Sequence, residues 1–331
     1  MNGSGMISRV AESIYWMSRY VERAENIARF IDVNQYLNLD LPMEDQMQWR
    51  PMVEVTGDVA LFERTYGEAN MANVIRFLAF DQEYANSIYS CLKMARENAR
   101  TVREAISSEM WTQVNKFYQM VRHASETETV YESPHEFLDE VKQWSHLITG
   151  VTEVTMSHNE GWHFSRMGRL LERADKTSRI LDVKYFMLLP SADYVGMPYD
   201  NIQWAAVLKS ASALEMYRKT YRRLSPQRIA EFLIFDRQFP RAIRYCLANA
   251  EESMRMVTSS QPGVFLNEAE KALSRLRAEI DYTDIGEVTM AGMHQFLDNF
   301  QARLNAVGEA IFDTYFALRP LRPAAINRRG S

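Results

Sequence analysis

The sequence is poor in helix-breaking residues and in cysteine. Its 331 residues include 13 glycines and 10 prolines, a smaller share than the roughly 12% that these two residues average, which argues against a turn-rich β-sandwich or barrel. Two cysteines are too few for a disulfide framework. No apolar run approaches the roughly 18 residues of a membrane-spanning helix. The sequence therefore predicts a cytoplasmic protein that does not cross a membrane.

The charge balance shows no large excess of either sign. There are 38 basic and 43 acidic residues, a formal net charge of -5, so neither nucleic acid nor an anionic membrane is an expected partner. Any anion-binding site must be local. The apolar content of 47% is enough to bury a sizeable core and excludes general disorder.

Motifs of the common cofactor and nucleophile sites are also missing. The sequence has no phosphate-binding loop, dinucleotide fingerprint, nucleophile elbow or Cys-x-x-Cys, so no cofactor is expected and ATP, if used, would come with a partner. Glu160 and His163 form a Glu-x-x-His, which di-iron bundles use twice, but Val10 and Ser13 stand at the positions 150 residues earlier. A di-metal site is therefore a remote alternative, and no metal is predicted.

Hydrophobic periodicity predicts an all-α fold. Apolar residues in the first segment recur at intervals of three and four, at Ile14, Met17, Val21, Ala24, Ala28 and Ile31, which places them on one helical face. No stretch alternates with period two for long enough to indicate a strand. The predicted helices cover residues 7–37, 44–56, 70–80, 84–106, 108–123, 134–157, 160–188, 201–222, 226–236, 240–259, 266–281 and 284–318. Residues 125–133 and 190–200 are predicted loops.

The chain contains an internal repeat. ERAENIARFIDV at 22–33 returns as ERADKTSRILDV at 172–183, and two shorter blocks recur in the same order, FLAFD at 77–81 as FLIFD at 232–236 and HEFLD at 135–139 as HQFLD at 294–298. Collinear blocks of this kind indicate a tandem duplication. We therefore expect repeats at 7–157 and 158–317, a tail at 318–331 and a small-residue cloning scar at 1–6. Cys91 and Cys246 fall at equivalent positions, which predicts two buried, unreactive thiols.

A stripe of acidic and basic residues runs along each copy of the first block. The stripes are Glu22, Glu25, Arg29 and Asp32 in one copy and Glu172, Asp175, Arg179 and Asp182 in the other. Their spacing of three and four places each stripe on one helical face beside the apolar face. The stripes are open to two interpretations: ion pairs that fix how two equivalent helices pack, or the charged lining of a ligand pocket between the repeats.

A basic face occurs in the first repeat only. Arg96, Arg100 and Arg103 are spaced to share one face of a helix, with Asn98 beside them, and the second repeat has Glu251, Arg255 and Thr258 at the corresponding positions. The three guanidinium groups could clamp a phosphate or carboxylate. An ordinary solvated helix surface is the equally supported alternative.

Three long segments carry a resemblance to a known family. The segments 8–33, 95–111 and 159–183 resemble the bacterial alpha-E family, a helical domain named for its Glu-Arg motif, and the resemblance spans essentially the whole chain. It places the motif on Glu22 and Arg23 and on Glu172 and Arg173. It also implies a genomic association with a circularly permuted ATP-grasp protein, and often with a transglutaminase-like protease, which points to peptide or amide-bond formation.

Two functions follow as hypotheses. In the first, the protein is a helical accessory protein that docks an ATP-grasp amidoligase or its substrate at a polar groove between the repeats. In the second, the groove is the active site for a small anionic, peptide-like substrate, with Glu22 and Glu172 as the candidate acid or base. The candidate ligand-binding residues are Arg23, Arg29, Asp32, Arg96, Asn98, Arg100, Arg103, Arg173, Arg179 and Asp182.

Overall fold

The computed structural model describes residues 6, 8–40, 45–54, 56–127, 129–186 and 198–317. Across these residues the chain forms α-helices and two π-helical turns, with no strand. The predicted all-α fold is confirmed. Among the helices described, none combines the length and the apolar character needed to cross a lipid bilayer.

The helices follow one another closely along the chain. They are α1 (Ser8–Asp40), α2 (Asp45–Glu54), α3 (Val59–Tyr66), α4 (Met71–Ile75), α5 (Ile88–Thr101), α6 (Ser108–Ser125), α7 (Thr129–Glu132), α8 (Pro134–Thr155), α9 (Glu160–Phe186), α10 (Pro198–Ser210), α11 (Leu214–Thr220), α12 (Pro226–Phe235), α13 (Ile243–Thr258), α14 (Glu268–Tyr282), α15 (Ile285–Ala291) and α16 (Met293–Ile311). Single π-helical turns at Arg76–Phe80 and Phe312–Phe316 continue α4 and α16.

The long helices α1 and α9 pack against each other at the centre of the molecule. Helices α5 and α8 pack on α1 and are bridged by α6, while α13 and α16 pack on α9 and are bridged by α14. The apolar face predicted for α1 is buried, with Ile14, Met17 and Ile31 fully inaccessible to solvent. This packing places the two charged stripes near the centre of the fold.

The same contacts recur on both sides of the central pair. Phe77 stacks on Tyr84 with ring centroids 4.1 Å apart, and Phe232 packs on Phe239 at 4.9 Å. Cys91 and Cys246 are free and buried, as predicted, and burial raises the pKa of each thiol to about 12. The duplication with repeats at 7–157 and 158–317 stays a prediction, and these paired contacts are of the kind that it leads us to expect.

Two predicted long helices are wrong because each is broken. The segment 201–222 divides into α10 and α11 at Ser212, whose φ of 48° is left-handed and cannot continue a helix. The segment 284–318 divides into α15 and α16 at Gly292, whose φ is 88°, a conformation that glycine adopts without strain.

Other boundaries differ in detail. Helix α5 begins after Ser87, whose side chain accepts a hydrogen bond from the Ser90 N–H, and ends at Thr101, so it is shorter than the predicted 84–106. Helix α3 was not predicted, and α7 lies inside the predicted loop 125–133. Of the predicted loop 190–200, residues 198–200 begin α10 and the others lie outside the described residues, as does the predicted tail 318–331.

Of the predicted N-terminal scar at 1–6, Met6 is the part that the structure describes. Residues 1–5 lie outside the described part of the chain. Met6 packs against the hydrophobic core, and its backbone N–H donates to Glu160 Oε2 at 2.8 Å. The folded unit therefore includes Met6.

Candidate functional site

The two central helices approach each other through small residues. Ser18 and Ser165 share a hydrogen bond between their hydroxyl groups at 2.7 Å. A Cβ placed on Gly168 would lie 2.4 Å from the backbone carbonyl oxygen of Tyr15, which is well inside van der Waals contact. The crossing therefore depends on glycine at this position, and it brings the side chains one turn further along within reach of the opposite helix.

The two Glu-Arg motifs form reciprocal ion pairs across this crossing. Arg23 donates from Nε to Glu172 Oε1 at 2.6 Å and from Nη2 to Oε2 at 3.0 Å. Arg173 donates from Nε and Nη2 to the two oxygens of Glu22 at 2.8 and 2.7 Å. Each pair is bidentate, the strongest geometry for a guanidinium and a carboxylate. The motif residues thus tie α1 to α9 twice.

Both motif glutamates are buried, with only 1% of Glu22 and 0% of Glu172 exposed. Burial alone would raise the pKa of Glu172, but the Arg23 guanidinium and the Lys176 ammonium hold it well below its usual range. Burial likewise opposes ionisation of Glu22, and Arg173 nevertheless lowers the pKa of Glu22. Both groups are therefore carboxylates at neutral pH, poorly suited to donate a proton.

The arginines of the predicted stripes pair within their own helices. Arg29 donates to Glu25 at 2.8 Å and Arg179 donates to Asp175 at 3.0 Å, each one turn away. Ion pairs between α1 and α9 are made by Arg23 and Arg173, which lie next to the stripes. Arg29 and Arg179 of the stripes do not make them. The last acids of the stripes are bound from the outer helices.

Histidines of the third repeated block hold those last acids. His135 Nδ1 lies 2.6 Å from Asp32 Oδ1, and His294 Nδ1 lies 2.7 Å from Asp182 Oδ1. Lys142 adds a second contact to Asp32 at 2.8 Å. Asp32 and Asp182 therefore anchor α8 and α16 to the central helices.

A cavity of about 340 Å³ opens beside one of the two motif pairs. Four cationic side chains and one carboxylate line it, namely Arg19, Arg23, Lys176, Arg179 and Asp175. The remaining lining residues are polar or apolar and are Asn26, Ile27, Phe30, Thr56, Leu78, Tyr84, Asn86, Ile180 and Asn305. The volume is within the range of small-molecule sites, roughly 300–1,000 Å³.

The basic face of the first repeat lies away from this cavity. Arg96 donates to Asn115 at 2.7 Å and to Glu97 at 2.9 Å, and the exposed Arg100 pairs with Glu97 at 2.6 Å. Asn98 donates to the carbonyl of Met94. None of these side chains lines the cavity.

Arg103 does not share their helical face. Helix α5 ends at Thr101, so Arg103 lies in the turn that follows, with its guanidinium 4.9 Å from the Trp111 ring centroid. The prediction that one helical face carries all three arginines is wrong, because α5 ends at Thr101, two residues before Arg103.

The residues described in the structure contain no group of three His, Cys, Asp or Glu side chains that could hold a metal ion. In the Glu-x-x-His segment, Glu160 accepts a hydrogen bond from the Met6 N–H. The Nδ1 atom of His163 is buried without a hydrogen-bond partner. Desolvation by burial lowers the pKa of His163, which keeps its ring neutral at neutral pH.

Sequence reasoning missed several residues of the charged centre. Arg19 donates to Glu172 at 2.8 Å and Lys176 contacts both Glu172 and Asp175. Arg241 donates to Glu22 at 3.3 Å and also contacts Glu25. A signal for Arg241 was present in the repeat, since the residue 155 positions earlier is Asn86.

These buried carboxylates predict acid sensitivity. The pKa values of Glu172 and Glu25 are well below normal, and those of Glu22 and Asp175 are also lowered, in each case because nearby cations outweigh the effect of burial. A group with a lowered pKa stabilises the fold above its unfolded pKa, about 4 for these side chains, and this contribution is lost as the pH falls through the folded value.

We therefore expect the free energy of unfolding to fall steadily below about pH 4.5. Urea denaturation at pH 7, 5, 4 and 3 would measure this. A Glu172→Gln variant removes one titrating group and should show a shallower decline. An equal decline in the variant and the parent would contradict the assignment to Glu172.

Comparison with known proteins identifies the family. The model of the Alpha-E family, described as a predicted alpha-helical domain with a conserved ER motif, matches residues 6–316. The chain therefore belongs to the alpha-E family, and its reciprocal ion pairs join the two Glu-Arg sequences to which the resemblance assigns the motif. No solved structure matches the chain.

Among curated proteins, the chain is similar to uncharacterised mycobacterial proteins. Relatives from Mycobacterium bovis and Mycobacterium tuberculosis are 23% identical over 340 aligned positions, which include 94% of this chain. The alignment covers only 37% of each relative. Those proteins thus contain further sequence beyond the region that the chain matches.

Proposed function

We propose that this alpha-E protein is a non-catalytic helical partner in an ATP-grasp amidoligase-type peptide-modifying system. In this proposal it acts in the cytoplasm and docks a circularly permuted ATP-grasp protein, or its substrate, at the polar cavity between α1 and α9. A transglutaminase-like protease is a further partner. These partners are the ones that the family resemblance implies.

The state of the motif glutamates is the observation that carries the proposal. Glu22 and Glu172 are each held by two or more cationic side chains inside the fold, and their pKa values are lowered. General acid–base catalysis is most efficient when the pKa of the catalytic group is near the working pH. The lowered pKa values of Glu22 and Glu172 are further from neutral pH than the usual pKa of a glutamate. Among the residues that the structure describes, those that line the cavity include no histidine and no cysteine. The site is better suited to binding than to proton transfer.

The length of the relatives is compatible with the proposal. Because only 37% of each mycobacterial relative aligns with the chain, those proteins are long enough to hold at least one more domain. Two proteins that act together can also occur as two domains fused in one chain. It is compatible with docking between separate chains here.

An enzymatic role is the second candidate, and the cavity favours it. A volume of about 340 Å³ would hold a small peptide-like anion, with Arg23 and Arg179 as clamps and Glu172 beneath them. In that case the chain alone should convert the substrate. In the docking proposal, conversion requires the ATP-grasp protein and ATP.

Co-purification tests the docking proposal. A tagged ATP-grasp protein encoded beside this chain should retain the untagged protein in a stable complex. A Lys176→Glu and Arg179→Glu double variant should weaken the affinity at least about tenfold, a loss of about 1.4 kcal/mol, and so reduce its recovery. The matched control is Arg96→Glu with Arg100→Glu, which makes the same charge change outside the cavity and should leave recovery unchanged. The absence of a complex at micromolar concentrations, or a greater loss with the control, would contradict the proposal.

A further inference from the structure

The two sides of the central helix pair differ at the residue that lies two places before α5 and before α13. The residue two places before α5 is Asn86, and the residue two places before α13 is Arg241. Arg241 is only 7% exposed. Its guanidinium donates to Glu22 at 3.3 Å and to Asn26 at 3.0 Å, and it also contacts Glu25. On that side, the arginine side chain occupies the space beside the acids of α1.

On the other side the corresponding space is the cavity. Asn86 is too short to reach the acids of α9, and it accepts a hydrogen bond from Arg23 at 2.7 Å instead. Glu172 and Asp175 are neutralised from their own helix by Lys176, whose Nζ lies 3.4 and 2.9 Å from them. Lys176 stands where the first block has Asn26. The side with the open cavity therefore has an asparagine, Asn86, where the filled side has an arginine, Arg241.

The cavity has more positive than negative charge. Arg19, Arg23, Lys176 and Arg179 line it or reach into it, and the carboxylates in contact with them are Glu172 and Asp175. Within the described part of the chain, Arg179 donates only through Nε, to Asp175. Its two terminal nitrogens are therefore available as a fork for an oxyanion.

The rest of the lining restricts the kind of anion. Phe30, Leu78 and Ile180 supply apolar surface, and Asn305 supplies an amide group. Asp175 in the same lining repels a second negative charge. These features suit a monoanionic carboxylate beside an apolar group and an amide better than they suit inorganic phosphate.

We propose that this cavity binds the carboxylate end of a small amide-containing molecule such as an acylated amino acid or short peptide. The identification as a peptide-like ligand rests on the proposed function, whereas the carboxylate specificity rests on the charges and walls of the cavity. Arg179 and Lys176 hold the carboxylate, and the apolar wall holds the neighbouring side chain.

Ligand-induced stabilisation tests this directly. N-acetyl-leucine carries a carboxylate, an amide and an apolar side chain, and N-acetyl-leucinamide differs only in having a neutral primary amide in place of the carboxylate. We expect the first to raise the melting temperature with increasing concentration, as binding to the folded state requires, and the second to leave it unchanged. Equal responses to both would overturn the carboxylate assignment, and a larger response to inorganic phosphate would replace it by a phosphate site.

Variants locate the binding. Arg179→Gln should weaken N-acetyl-leucine binding by about 10- to 100-fold, the range for a hydrogen bond to a charged group, in isothermal titration calorimetry. Arg100→Gln removes an exposed arginine elsewhere and should not change the affinity. If Arg179→Gln binds as tightly as the parent, the cavity is not the site.

The side of the fold that contains Arg241 corresponds to the cavity but is filled by the arginine side chain. Asn86→Arg combined with Lys176→Asn recreates on this side the pair formed by Arg241 and Asn26, and the new guanidinium should fill the cavity. We expect this variant to retain its helical circular dichroism and to lose N-acetyl-leucine binding. Unchanged binding would overturn the inference. Loss of ligand binding with retained ATP-grasp co-purification would support this inference and contradict docking of the ATP-grasp protein at the cavity.

Discussion

Replacing Glu172 with Gln is expected to lower the free energy of unfolding by about 3–5 kcal/mol. The Glu172 carboxylate is fully buried and contacts Arg19, Arg23 and Lys176 at 2.8, 2.6 and 3.4 Å. Gln keeps nearly the same shape but removes the negative charge, so three cations lose their shared counter-charge inside the fold. Urea denaturation at pH 7 would measure the change.

The matched control is Glu97→Gln. Glu97 is partly exposed and pairs with Arg96 and Arg100 on the surface, where an ion pair contributes only about 0–1 kcal/mol. A Glu172→Ala variant, which also removes packing, should be less stable than Glu172→Gln. If Glu172→Gln is as stable as the parent but no longer binds its partner or ligand, the carboxylate serves the site and not the fold.

The fold class and the charged stripes could be predicted because both depend on helical periodicity. Residues three and four apart share a face whatever the tertiary structure, so the chain order of Glu22, Glu25 and Arg29 was enough to place them together. The break at Gly292 was missed although glycine is the residue that adopts a positive φ most readily. The break at Ser212 was missed because a serine in that conformation has no distinctive pattern.

The set of side chains that surround Glu22 and Glu172 could not be predicted from the sequence of a single helix. Arg241 reaches Glu22 from 219 residues away, and such a contact depends on how α13 packs on α9, which no local spacing encodes. The cavity is harder still to predict, because it arises where a side chain is short. Only a comparison of Asn86 with Arg241 across the repeat indicates it.

Differences between the two predicted repeats fall both on the surface and in the interior. One such difference is the basic set Arg96, Arg100 and Arg103, which the structure places on the surface and in a turn. Another is the pair Asn86 and Arg241 at the buried charged centre, where a difference between the repeats changes the volume open to a ligand. The basic set and the Asn86 and Arg241 pair differ in burial, which the sequence alone does not give.

Replacing Gly168 with Ala is expected to destabilise the protein by about 1–3 kcal/mol, the usual effect of overpacking. The added Cβ would lie 2.4 Å from the Tyr15 carbonyl oxygen, and a backbone atom cannot move aside as a flexible side chain can. Helices α1 and α9 must separate or shift, which also strains the Arg23–Glu172 and Arg173–Glu22 pairs one turn further along. The loss should occur even though alanine favours a helix over glycine by about 1 kcal/mol.

Gly150 provides the control for the Gly168 variant. It lies in the interior of α8, and a Cβ added there would have no neighbouring atom within 4 Å, so Gly150→Ala should stabilise the protein by about 0.5–1 kcal/mol. Thermal and urea denaturation of the two variants, measured side by side, should therefore give shifts of opposite sign. Stabilisation by both substitutions would show that the central helices can adjust to a side chain at Gly168, and the close crossing would then not be what holds the two Glu-Arg pairs in register.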